Sequence, residues 1–139
     1  MNFLLDTCAI SELIKPAPNK NAVQWISGIE ENRYYLSVLT LGEIEKGITK
    51  LPDSFRKKQL SDWLENHLVV RFEKRILDIS LSISREWGRM LGEVEKIGKP
   101  IPAVDGLIAA TASVHKLTLV TRNVSDFENA KVDILNIWS

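Results

Sequence analysis

Asp6, Glu43, Asp105 and Asp126 are the residues of this 139-residue chain that point most directly to chemistry. Each comes after a short apolar run: Asn2-Phe3-Leu4-Leu5, then Tyr35 to Leu39, then Pro102-Ala103-Val104, then Leu117 to Thr121. Such runs are where strands of a parallel sheet end, and an open α/β sheet binds its ligands outside those carboxyl ends. Carboxylates gathered there repel one another unless a hard cation sits between them. The chemistry expected is Mg²⁺-dependent work on a phosphodiester, with a water made nucleophilic by the ion.

Taken one at a time, the acids also fit ordinary structural roles. Thr40 and Glu43 have the spacing of a capping box, with Thr40 as N-cap and Glu43 reaching back to its amide. Asp126 suits a cap of the turn before Phe127, and Asp6 a cap of the helix starting near Thr7. Asp105 lies in a first helical turn after Pro102, where the helix dipole favours a negative charge. Asp105 and Asp6 are harder to dismiss, because an unpaired buried carboxylate is costly and no lysine or histidine stands beside either. Together the acids are separated by roughly 35, 60 and 20 residues, the spacing of one per βα unit in a parallel sheet.

The elements that must position them follow from periodicity. Short apolar runs alternate with helical patterns, the signature of βαβ units. Strands are expected at Phe3–Leu5, Tyr34–Val38, Ile76–Ile79, Leu117–Thr121 and Val132–Leu135. Helices are expected at about Thr7–Lys15, stopped by Pro16 and Pro18, and at Asn21–Glu30 with Val23, Ile26 and Ile29 on one face. Further helices are expected at Thr40–Lys50, at Ser54–Leu68, at Ser80–Ile97 closed by Gly98, and at Ala103–His115, which is apolar nearly all round. The fold class is α/β, a three-layer α/β/α sandwich on a small, mostly parallel five-stranded sheet, forming one domain over residues 1–139. Periodicity leaves the strand order open.

Composition narrows the function classes. Acidic and basic residues balance at 18 each, so nucleic-acid binding would need a local basic patch or metal ions. Cys8 is the only cysteine, which rules out an intrachain disulfide and suggests a reducing compartment. No apolar run approaches the roughly 20 residues of a membrane span, and Met1 to Leu5 is too short for a signal peptide. A cytoplasmic protein is expected.

The chain resembles PIN-domain proteins, specifically the toxin ribonucleases of VapBC-type toxin–antitoxin pairs. Four blocks in order carry the resemblance: Leu4-Leu5-Asp6-Thr7 with Ile10-Ser11-Glu12, Ser37 to Ile44 with Gly47, Gly98 to Ala112 around Asp105, and Leu119 to Phe127. They span essentially the whole chain. The resemblance implies a Mg²⁺-dependent endoribonuclease, with Mn²⁺ able to substitute, held inactive by a VapB-type antitoxin and forming a homodimer or a toxin–antitoxin hetero-oligomer. It implies that Asp6, Glu43 and Asp105 are the acidic metal-binding core. Relatives carry the fourth acid either where Asn123 stands or where Asp126 stands; Asp126 is assigned here, with Asn123 assisting.

The hydroxyls of Thr7 and Thr121 beside the site could hold a carboxylate or a phosphate oxygen, or be ordinary capping and strand threonines. Arg56-Lys57-Lys58 and Lys74-Arg75 are the densest basic clusters, open to RNA contact or to a solvated face. Arg85 and Arg89 could instead pair with Glu86 or Glu93. His67 and His115 lie away from every acid, which counts against a two-histidine ribonuclease. Trp25, Trp63 and Trp87 fall at core spacings, and Cys8 lacks a histidine to activate it. The competing reading is a non-catalytic RNA-binding or regulatory α/β module with a structural acidic cluster. A phosphoacceptor switch fits poorly, since Asp6 stands alone after its strand and no lysine follows the last one.

Overall fold

The computed structural model describes residues 1–139. Five strands form one sheet: β1 (Phe3–Leu5), β2 (Tyr34–Ser37), β3 (Ile76–Leu77), β4 (Thr118–Val120) and β5 (Ile134–Leu135). Their order is β3-β2-β1-β4-β5 and every neighbouring pair is parallel, so the sheet is wholly rather than mostly parallel. The strand that ends in Asp6 is therefore central, with Phe3 opposite both Tyr34 and Thr118.

Parallel strands covered on both faces read as continuous apolar runs. Phe3, Leu5, Leu36 and Val120 face one core, shared with Ile10, Ile44, Leu64 and Trp138. Leu4 and Leu119 face the other, shared with Met90, Ile108, Ala112 and Phe127. Leu4, Leu36, Leu119 and Val120 are all fully buried. The α/β/α layering follows directly.

The helices are α1 (Thr7–Leu13), α2 (Lys20–Ser27), α3 (Val38–Thr49), α4 (Phe55–Trp63), α5 (Val69–Arg71), α6 (Leu81–Lys96), α7 (Ala103–His115) and α8 (Val124–Phe127). A π-helical stretch, Leu64–Leu68, joins α4 to α5, so the expected Ser54–Leu68 helix runs on to Arg71. In α2 it is Ala22 that is buried, while Val23 stands exposed; Asn19 caps this helix, which starts at Lys20, one residue ahead of the expected Asn21.

One departure bears on the site. Helix α3 begins at Val38, and its N-cap is Ser37, whose hydroxyl accepts from the Leu39 amide. Thr40 is thus inside the helix and wholly buried, and the Thr40–Glu43 capping box does not form. The short polar side chain closest to the strand end takes the cap, because it alone reaches the free amides of the first turn.

No helix is long and apolar enough to cross a membrane.

Candidate active site

Asp6 leaves the central strand as the N-cap of α1. Its Oδ1 accepts from the Thr7 amide at 2.8 Å, so the expected cap is present. The other oxygen, Oδ2, accepts from the Thr121 hydroxyl at 2.8 Å, and the carboxylate is buried at 5 % exposure. Both oxygens are thereby oriented from the backbone of α1 and from the end of β4. Thr121 is wholly buried and its hydroxyl oxygen accepts the Asn123 amide at 3.1 Å, which sets the turn into α8.

Glu43 lies on the exposed surface of α3, and its Oε1 accepts from the Thr7 hydroxyl at 2.7 Å. Thr7 Oγ1 is also 3.3 Å from the Thr40 hydroxyl. Since Thr7 has one proton and gives it to the carboxylate, Thr40 donates to Thr7. Adjacent residues on α1, Asp6 and Thr7, therefore hold the central acid and tie down its neighbour on α3.

Asp105 reaches the same edge by a different route from the one its sequence position suggests. No strand precedes it; it sits in the first turn of α7. Because α7 leads into β4 through Lys116, it runs antiparallel to the sheet, which brings its N-terminus to the carboxyl edge where Asp6 lies. Glu43 likewise follows no strand directly, being in the second turn of α3. The pattern of one acid at each strand end is replaced by one strand-end acid, Asp6, with the others on helices that open onto the same edge.

Asp105 has its pKa raised from 3.8 to about 6, first by burial and then by the charges of Asp6, Asp126 and Glu43. The helix dipole at this first turn would act the other way. Desolvation and like charge outweigh it, and the shift shows that Asp105 feels the other three acids. None of the four is paired with a lysine, arginine or histidine. As they stand, no three His, Cys, Asp or Glu side chains are grouped closely enough to hold a metal ion.

Asp126 is exposed and inside α8, so it is not the cap of that turn; Asn123 is at the N-cap position, and its amide side chain makes no cap bond. Cys8 packs between the two elements, its sulfur 3.7 Å from both Asp6 Oδ2 and Thr121 Oγ1. Burial pushes the thiol pKa up, so Cys8 is a protonated filler and not a nucleophile.

Two features of this edge escape a reading of the sequence. Thr40, taken for a cap, is the buried end of the hydroxyl chain that leads to Glu43. Lys46 and Lys50 share with Glu43 and Val104 an open cleft of about 430 Å³. Their positions three and seven residues after Glu43 are the available signal, since these lie on one helix face. A second, apolar cleft of about 440 Å³, bounded by Leu13, Ile26, Trp63 and Phe72, contains none of the four acids.

The basic clusters prominent in the sequence lie elsewhere. Lys57 pairs with Asp53 and donates to the Thr49 and Leu51 carbonyls, and Arg75 is held by Glu31 and the Tyr34 carbonyl. Arg89 pairs with Glu86, whereas Glu93 is taken by Lys131. Trp25 packs edge-on against Phe3, and the Trp87 indole donates to the Ala103 carbonyl, so both serve packing.

Comparison with known proteins shows what the whole chain is similar to. The family model described as PIN domain matches residues 3–132. Toxin FitB of Neisseria gonorrhoeae is 36% identical over 136 residues, covering 98% of both chains. The VapC ribonuclease Y4jK of Sinorhizobium fredii is 35% identical over 136 residues, covering 98% of this chain and 97% of that one. The crystal structure of FitAcB from Neisseria gonorrhoeae superposes with a TM-score of 0.93 at 35% identity, covering 98% of each chain.

Proposed function

The chain belongs to the PIN-domain family, and on that premise we propose that it is a divalent-metal-dependent endoribonuclease, the toxin of a type II toxin–antitoxin pair. The observation that carries the reading is the state of Asp105. Its carboxyl is raised to about 6 by burial and three neighbouring acids, none of them neutralised by a basic side chain. A set of hard carboxylate oxygens with no internal counter-charge suits Mg²⁺ or Mn²⁺.

Asp6 and Asp105 would hold the ion, with Glu43 and Asp126, both exposed, as the further acids of the set. A divalent ion held there supplies Lewis-acid polarisation of the phosphodiester and a lowered pKa for water. The protein's own part is orientation. Thr121 and the Thr7 amide fix the two oxygens of Asp6, and the Thr7 hydroxyl fixes Glu43, so these two acids are held in place before substrate arrives. Asn123, with an unengaged amide beside Thr121, is assigned to assist Asp126.

The name of one relative, a VapC ribonuclease, supports RNA as the substrate, and that of another, toxin FitB, supports a toxin's role, for which an antitoxin is the partner we infer. An antitoxin can silence such a site by placing a basic side chain, typically arginine, among the acids in competition with the metal. Self-association as a homodimer, or assembly with the antitoxin, belongs to the same reading.

The test is cleavage of RNA by the purified full chain in Mg²⁺ and in EDTA. Activity is expected only with the metal. Asp6→Ala and Asp105→Asn should each lose more than the roughly 10–100-fold that removal of an outer-shell partner costs. Undiminished cleavage in either variant overturns the assignment. Binding of RNA without any metal-dependent turnover would favour the non-catalytic module.

A further inference from the structure

Beside the acids lies a surface that the proposed chemistry does not use. On α3, Glu43, Lys46 and Lys50 face the same open cleft, whose far wall is Val104, the neighbour of Asp105. Both lysines are exposed and neither pairs with a carboxylate. They stand four residues apart, a rise of about 6 Å along the helix, close to one step between phosphates of an extended strand. Gly42 and Gly47 lie along the same wall, and a Cβ built on either meets nothing within 4 Å, so the cleft is open to a bulky polymer.

A lysine in the last turn of a helix is also favoured by the dipole. That explains a positive charge at the end of α3 but not two unpaired charges along a cleft that leads to Glu43. No other basic group lines this cleft. Lys57 and Lys58 border a separate cleft with Asp53 that includes none of the four acids, and Arg71 is bound to Glu31. Arg122 is turned over the Trp138 ring, 5.9 Å from its centroid.

We propose that Lys46 and Lys50 are a phosphate track that leads the backbone of single-stranded RNA along α3 to the acids. The proposal rests on the ribonuclease reading and adds to it the direction from which substrate enters. A net-neutral chain can bind a polyanion here because two unpaired cations line the one cleft that also contains Glu43. Leu39, also in the cleft, offers ribose and base an apolar floor.

The experiment measures binding of a fluorescein-labelled oligouridylate to the full chain by anisotropy across a KCl series. Asp105→Asn serves as background to stop cleavage. Each phosphate contact on a single strand contributes about 0.7 to the slope of log K against log salt. Lys46→Ala and Lys50→Ala should each lower that slope by about this amount, and the double variant by about twice as much, while Lys46→Arg keeps it. Arg56→Ala should leave the slope unchanged. In the otherwise unmodified enzyme, the double variant should raise KM with kcat retained, and its thermal midpoint should match the parent because both side chains are exposed. An unchanged slope in the double variant, or loss of slope in Arg56→Ala instead, overturns the track even if cleavage is normal. A lowered slope in a chain that cleaves no RNA supports the track and overturns the ribonuclease reading.

Discussion

At the scale of the residue, Asp105 sets a conflict between site and stability. Its carboxyl titrates near 6 in the folded protein against 3.8 for an unperturbed aspartate, owing to burial and then to Asp6, Asp126 and Glu43. Between those values the folded state holds a proton that the unfolded chain has released. The group's contribution to stability is therefore fully present below about pH 4 and is lost as the pH rises through about 6. Because the side chain is only partly buried, the cost at neutral pH is about 1 kcal/mol rather than the full shift. In metal-free buffer, Asp105→Asn should be more stable than the parent at pH 7 by about that amount. The two should converge below pH 4 in urea melts. Addition of Mg²⁺ should stabilise the parent selectively, since an ion that binds only the folded form adds to its stability.

At the scale of the element, the packing of α6 on α7 decides where Asp105 sits. A Cβ on Gly106 would lie 3.0 Å from Leu91 Cδ2 and 3.1 Å from Trp87 Cδ1, so any larger residue next to Asp105 would force these α6 side chains to give way. Gly106→Ala should cost about 1–2 kcal/mol by overpacking, read as a lower urea midpoint, and should perturb the near-ultraviolet dichroism of Trp87. Element scale is also where the sequence reading fails most usefully. The capping box at Thr40 and Glu43 is right in residue types but wrong in register, since Ser37 at the strand end takes the cap first. That correction removes the structural excuse for Glu43, whose only hydrogen-bond partner is Thr7 of another helix. Local patterns identify helices well, and α7 falls at its expected Ala103–His115, but they do not report which face meets which neighbour.

At the scale of the whole molecule, all five strands were legible as apolar runs, whereas their order was not. Order depends on pairings such as Phe3 with Thr118, which no local window contains. The same distance hides the partnership of Thr121 with Asp6 and the cleft shared by α3 and Val104. It also makes a prediction. A chain ending at Lys116 lacks β4, β5 and α8, leaving one edge of the central strand unpaired. Such a truncation should show no cooperative unfolding transition by circular dichroism, despite retaining α1 to α7.

The central position of β1 governs when the molecule becomes competent. Thr121 closes on Asp6 across 115 residues, and the Trp138 indole closes on Glu12 across 126. Synthesis proceeds from the N-terminus, so Asp6 is made well before the Thr121 that orients it. While the ribosome still holds β4, the central strand lacks one neighbour and Asp6 lacks its Thr121 partner. A degradative activity built on this topology stays unassembled on the nascent chain until β4 has emerged to pair with β1.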